Sequence, residues 1–246
     1  MRKEVVHPDY AGMSEWVHRL PECFEQEGEM IHDGRNKVKR FVVNGTPLIV
    51  KRYKRPTIFQ QITYACFRPS KAVRAYLFAG MLRDRGFDTP HEVAYVEEYR
   101  GGLYQGGLFV STECTDASVQ DYLEEQRDPL MMFQLAGLLV ELHQQGVLHG
   151  DLNLSNVLYR SLGADRYHFT LIDTNRSVFK QPTQAEALRN LMRVSHHMDI
   201  LRMVVADYAE QRGWSVQESV DEVLKLRDRF DHRVQLRRAL KKFFHL

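Results

Sequence analysis

The apolar period switches several times between two and a helical value, with most strands before about residue 112 and mainly helix after it, and that pattern limits what the chain can fold into. In the first part, Val38 to Val43 and Pro47 to Tyr53 are rich in β-formers and are joined by Asn44-Gly45. That dipeptide predicts a two-residue type I′ hairpin, which needs positive φ at both positions. A shorter strand is expected around Glu29 to His32, and two more, Val93 to Glu97 and Leu108 to Thr112, flank a glycine-rich turn from Gly101-Gly102 to Gly106-Gly107. Between these, Ser70 to Arg85 reads as a helix with Val73, Leu77, Met81 and Leu82 on its inner stripe and Gly86 as its stop. Leu77 is therefore expected to pack against the core.

Beyond residue 112, Ser118-Val-Gln-Asp121 opens a short helix, and Asp128, Pro129 and Gly146 delimit a longer one whose apolar residues are too numerous for a single stripe. Asn156 to Tyr159 and Phe169 to Ile172 read as a small hairpin, and amphipathic helix follows from about Thr183. Five strands and one helix, a linker near residues 111 to 117 and a helical remainder predict a two-lobed α+β fold, a β-rich lobe over 1–112 and a helical lobe over 113–246.

Composition adds little until it is localised. A chain of 246 residues that is 43% hydrophobic can bury a real core, and 34 Lys+Arg against 32 Asp+Glu leave a balance of +2. Between Arg35 and Arg85, however, there are 13 basic residues and one acid, Asp84. That basic stretch, with Phe59, Tyr64 and Phe67 among its charges, suits anionic headgroups or lipid phosphates. RNA is the competing partner, and it ranks lower because no RNA-binding motif is present. Cys23, Cys66 and Cys114 lie far apart, which fits a reducing compartment. The N-terminus has no apolar signal-peptide region, and the longest apolar stretch, Leu130 to Leu142, is interrupted by Gln134 and Glu141. An intracellular protein is expected. His196-His197 and the other histidines lack metal-ligand spacing.

The segment His149-Gly-Asp151-Leu-Asn-Leu-Ser-Asn156 carries the chemistry, and it resembles the kinase catalytic loop H-R-D-L-x-x-x-N. Phosphoryl transfer uses a carboxylate to orient the attacking hydroxyl and accept its proton, here Asp151 with His149 beside it, and an amide oxygen to ligate Mg²⁺, here Asn156. Leu171-Ile-Asp173 follows at the end of the next strand, where a kinase carries its metal-binding aspartate. Upstream, Leu48-Ile-Val-Lys51 looks like the kinase strand whose lysine neutralises nucleotide phosphates. The linker Phe109-Val110-Ser-Thr112-Glu113 would supply backbone groups for adenine, with Phe109 and Val110 as apolar lining. The turn containing Gly34, Arg35, Asn36 and Lys37 is the candidate phosphate loop.

Taken with Leu171-Ile-Asp-Thr-Asn-Arg176, the Arg85-Gly-Phe-Asp-Thr-Pro90 turn and Arg189-Asn-Leu-Met-Arg193, the loop is similar to that of the bacterial lipopolysaccharide core kinases, over roughly residues 28 to 205. The resemblance implies a protein-kinase-like fold, ATP and Mg²⁺ as cosubstrates, and phosphorylation of Kdo or heptose on an anionic glycolipid at the cytoplasmic face of a Gram-negative inner membrane. The rival readings are a small-molecule kinase of the aminoglycoside or choline type and an inactive pseudokinase scaffold.

The sequence departs from the kinase pattern in two places. The candidate phosphate loop has one glycine, Gly34, and no Asp or Glu occurs from Lys51 through Arg83. Lys51 must therefore pair with an acid from elsewhere, Glu25, Glu27 or Glu29 being candidates, or work unpaired. Downstream, Pro182 and a helix follow Asp173 too closely for a long peptide-binding segment, so a sugar or other small acceptor fits better. Arg176 either binds acceptor phosphate or pairs with Asp151 or a helix end.

Overall fold

The structure, a computed structural model, describes residues 1–163 and 165–243 and divides into two compact units. The first comprises Met1–Thr115 and Leu171–Arg176, and the second Asp116–Thr170 and the chain from Ser177 onward. Asp173 thus groups with the β-rich unit, although its place in the sequence put it in the helical lobe.

The first unit is built on six strands, β1 (Arg2–Val6), β2 (Glu29–Asp33), β3 (Lys37–Val43), β4 (Thr46–Arg52), β5 (Glu92–Arg100) and β6 (Leu103–Thr112), in the order β1-β5-β6-β4-β3-β2. Every neighbouring pair is antiparallel. Asn44 and Gly45 have φ of 50° and 78°, as the hairpin between β3 and β4 requires. One face of the sheet is covered by α1 (Ser14–Cys23), whose Val17 and Leu20, followed by Phe24, bury against Leu48, Val50, Val96, Leu108 and Val110. Each such side chain contributes about 2 kcal/mol on leaving water.

The opposite face carries α3 (Lys71–Arg83), capped by Ser70, whose Oγ accepts the Val73 N–H. Its buried stripe is Ala72, Ala75, Ala79 and Leu82, and Leu77 is 47% exposed. The inner face is therefore rotated from the one the large residues suggested. Alanines let the helix approach closely, and Gly107 is part of the same fit, since a Cβ there would lie 2.8 Å from the Val96 carbonyl and 3.1 Å from Ala72. Gly106 and Gly107 accordingly belong to β6, and the tight turn is Gly101-Gly102 alone. The unit also holds α2 (Ile58–Cys66), so it has six strands and three helices where five strands and one helix were expected.

The second unit starts with β7 (Ala117–Ser118), which pairs with β9 (Val157–Ser161) and, through it, with β10 (Tyr167–Leu171). Short strands β8 (Val147–Leu148) and β11 (Val178–Phe179) form a second ribbon. The helices are α4 (Val119–Gln126), α5 (Pro129–Gln144), α6 (Gln184–Leu191), α7 (Met198–Gln211) and α8 (Val216–Phe243). α5 is the buried one, with Met131, Leu135, Leu139 and Leu142 at most 1% exposed, and α7 packs against it. Among the described residues no helix is long and apolar enough to cross a membrane.

Candidate active site

In the first unit, the chemistry gathers where β4 ends. Lys51 Nζ lies 2.8 Å from Asp173 Oδ1, which also accepts a hydrogen bond from Asn175 Nδ2. The acid that the segment after Lys51 lacks is thus supplied from more than a hundred residues downstream. None of the three glutamates offered for that role is the partner of Lys51. Glu25 takes Lys37 at 2.7 Å and Arg52 at 2.8 Å, and the Lys37 hydrogen bond leads in holding its carboxyl below the ordinary range. The Glu27 carbonyl accepts from the buried Lys39, and Glu29 sits opposite Arg40 in the β2–β3 ladder. Asp173 has φ of 55°, a left-handed conformation that Asp tolerates better than most residues.

The turn of residues 174–176 packs on α3 and brings Arg176 near Lys71. Burial pushes the Lys71 ammonium below its usual pKa, and the nearby cations of Arg35, Arg176 and Arg74 lower it further. Such a collection of mutually repelling cations beside Lys51 favours an anion. Lys71 is thus a candidate phosphate-site residue, where the sequence counts it only as part of the basic stretch.

Several expected nucleotide contacts move. Val110 is fully buried with Leu48 and Val50 on the α1 face of the sheet, while Phe109 lies across from Lys51 and packs with Tyr53, Ala72 and Ala75 on the α3 face. Val110 is therefore a core residue, paired with Val50 on one side and Ala94 on the other. Thr112 Oγ1 accepts the His91 N–H at 2.9 Å and so serves the β5–β6 pairing. In the glycine turn, Lys37 is paired as described and Asn36 Oδ1 accepts the Lys54 N–H, which leaves exposed Arg35 as the side chain open to phosphate. A Cβ at Gly34 would collide with the His32 ring.

In the second unit, the segment 149–156 forms a tightly bonded loop. The Asp151 carbonyl accepts from Asn156 Nδ2 at 2.8 Å and from Asn153 Nδ2 at 3.1 Å, and its N–H donates to His149 Nδ1 at 3.4 Å. With its amide nitrogen so held, Asn156 keeps its oxygen for another partner. His149 itself is 2% exposed. The Asp151 carboxylate is met by Arg193 at 2.5 Å. A groove of about 580 Å³ runs beside the loop, lined by Asn153, Ser155, Arg193, Phe230 and Arg238 among others.

A buried polar chain supports this loop from beneath. Asn190 Nδ2 donates to the His149 carbonyl, which leaves Asn190 Oδ1 to accept from His143 Nε2 at 3.1 Å. His143 Nδ1 is then the acceptor for the Tyr208 hydroxyl at 2.8 Å. The chain needs a neutral imidazole, and burial depresses the His143 pKa to about 4. Because the folded pKa lies below the unfolded value of about 6.5, the unfolded state binds the extra proton between them. His143 thus stabilises the fold fully above pH 6.5, and that contribution is lost as the pH falls toward 4. Urea midpoints measured at pH 7 and pH 5 should fall more steeply for the wild type than for His143→Gln. Equal slopes would refute a neutral His143.

A family model for the lipopolysaccharide kinase (Kdo/WaaP) family matches residues 26–218. The chain belongs to that family. It is a lipopolysaccharide kinase, and the family implies use of ATP. No curated protein matches the sequence. Among solved structures the kinase is similar to WaaP in complex with acyl carrier protein, at 14% identity over 95% of this chain and 98% of that one, with a TM-score of 0.59. That likeness shows the protein-kinase-like fold. The Rio2 kinase–ADP/Mg²⁺–phosphoaspartate complex from Chaetomium thermophilum aligns at 14% identity over 89% of this chain and 77% of that one, with a TM-score of 0.47.

The histidines hold one surprise. His7, His91 and Glu92 bring potential ligand atoms within 4.8 Å of one another although His7 is 85 positions from Glu92. Arg83 already faces Glu92 at 3.2 Å, and His91 Nδ1 lies 3.0 Å from the Glu92 carbonyl, so the cluster reads as a polar knot at the start of β5.

Proposed function

We propose that the kinase transfers the γ-phosphate of ATP to a sugar hydroxyl of the lipopolysaccharide inner core, Kdo or heptose. The observation that carries the reading is the Lys51–Asp173 pair, since a strand lysine and a carboxylate held together are the groups that nucleotide phosphates and their cation would separate. Lys51, Arg35 and Lys71 bind phosphate, and Phe109 lies on the same face of the sheet as Lys51, suited to a base. Asp151 orients the acceptor hydroxyl and takes its proton at a carboxylate oxygen, with Arg193 holding that carboxylate in place.

Asn156 keeps an amide oxygen in the second unit, and in the first unit the carboxylate of Asp173, not fully committed to the contacts described above, suits Mg²⁺, a hard cation. Bound there, Mg²⁺ would neutralise charge on the phosphates. The groove beside Asn153 and Ser155 is a polar, arginine-rich space suited to an anionic sugar. Arg176, exposed at the end of its turn, is assigned to acceptor phosphate. The acceptor's lipid would place the enzyme at the cytoplasmic face of the inner membrane.

The test is chemical. Lipid A-core from cells lacking the gene should lack one phosphate by mass spectrometry, and the purified protein with ATP and Mg²⁺ should restore it. An unchanged mass together with no transfer in vitro would overturn the proposal.

A further inference from the structure

Helix α2 is built inside out. Its start is locally encoded, with Thr57 Oγ1 accepting the Gln60 N–H and the Gln60 side chain accepting the Thr57 N–H. Its inward face is polar. Gln61, 7% exposed, donates to the Pro56 carbonyl at 3.2 Å and accepts from Gln105 at 3.3 Å, and Tyr64 meets Tyr104 edge-on. The outward face is apolar, with Ile58 73% exposed, Phe59 79% and Ile62 44%, followed at the helix end by Phe67 at 82%. Large apolar side chains grouped in water on one short helix mark a surface with a partner.

The flanks say which partner. Lys54 and Arg55 precede the helix and Arg68 follows it, all three exposed, within a stretch of 33 residues that has eight basic residues and no acid. The basic face is narrower than the sequence suggests, because Arg74 is buried. What remains is a protruding apolar ridge with cations at its two ends, the arrangement of a helix lying in a membrane interface.

We propose that α2 is an interfacial membrane anchor, with Ile58, Phe59, Ile62 and Phe67 entering the acyl boundary of an anionic bilayer and Lys54, Arg55 and Arg68 among its headgroup phosphates. The inference rests on the reading that the acceptor is a membrane glycolipid and names the means by which the enzyme reaches it. Apolar insertion and charge act together, so binding should survive salt that would release a purely electrostatic contact.

The full chain is sedimented with vesicles of phosphatidylglycerol and phosphatidylethanolamine, at about 0.1 M and about 1 M salt, where the Debye length falls from roughly 10 Å to 3 Å. Phe59→Ser/Phe67→Ser, changed only at exposed positions, should partition more than tenfold more weakly at both salts. Lys54→Gln/Arg55→Gln/Arg68→Gln should lose the preference for phosphatidylglycerol. A phenylalanine variant that sediments like wild type overturns the anchor. So does a wild type that ignores vesicles, which would give the face to an acidic protein instead. Transfer to detergent-dispersed acceptor separates the two readings. It should be unchanged in the phenylalanine variant, and its absence from a wild type that binds vesicles would refute the sugar-kinase assignment while leaving the anchor standing.

Discussion

Asp151→Asn should abolish phosphate transfer while nucleotide affinity stays close to that of the wild type. Asparagine keeps the shape of the side chain and an oxygen for Arg193, and the loop around it is held by main-chain atoms. The Asp151 carbonyl still receives Asn153 and Asn156, and its N–H still meets His149. What is lost is the carboxylate able to take the acceptor's proton, a loss of roughly 10²- to 10⁴-fold in kcat. Nucleotide binding is assigned to the other unit, where Lys51 and Asp173 are untouched. Single-turnover transfer beside nucleotide titration checks both halves. A variant that keeps more than about a tenth of wild-type kcat does not use Asp151 as a base.

The candidate catalytic loop is legible in the sequence because its residues are contiguous. His149 to Asn156 carry carboxylate and amide within eight residues, and the hydrogen bonds from Asn153 and Asn156 to the Asp151 carbonyl run within that segment. Asn44-Gly45 was as legible, since one dipeptide fixes the turn. The partner of Lys51 was not, because Asp173 arrives from a distant turn and no local pattern records that return. Arg193 and Asn190 stood in a recognisable segment, yet their contacts with Asp151 and His149 span about forty residues.

Helix faces failed for a different reason. Periodicity shows which side of a helix is apolar, and only packing decides which side is buried. In α3 the close approach permitted by Gly107 selects alanines for the inside and leaves Leu77 out. In α2 the apolar side faces water altogether. α1 was hidden by Pro21, a helix breaker in isolation, although Val17, Leu20 and Phe24 have core spacing. The short edge strand β1 carried no alternation strong enough to see, its middle three residues being exposed.

Asp173 should show the complementary failure, loss of metal-dependent nucleotide binding. Asp173→Asn is the cleaner substitution, because Asn also tolerates the φ of 55°, whereas Ala adds backbone strain of order 1 kcal/mol to the lost carboxylate. Removing the negative charge has two opposed consequences. Mg²⁺ loses its main carboxylate, so affinity for Mg-ATP should fall more than tenfold, the equivalent of about 1.4 kcal/mol or more. Lys51, paired with Asp173 in the wild type, is at the same time released to the phosphates, so ATP without Mg²⁺ should bind no worse and even tighter. Isothermal titration with and without Mg²⁺ reads both, and the sign of the metal-free change is the discriminating part. A loss of affinity that is equal with and without metal would mean that the pair only shapes the fold. Wild-type Mg-ATP affinity would mean that Asp173 does not hold the metal at all.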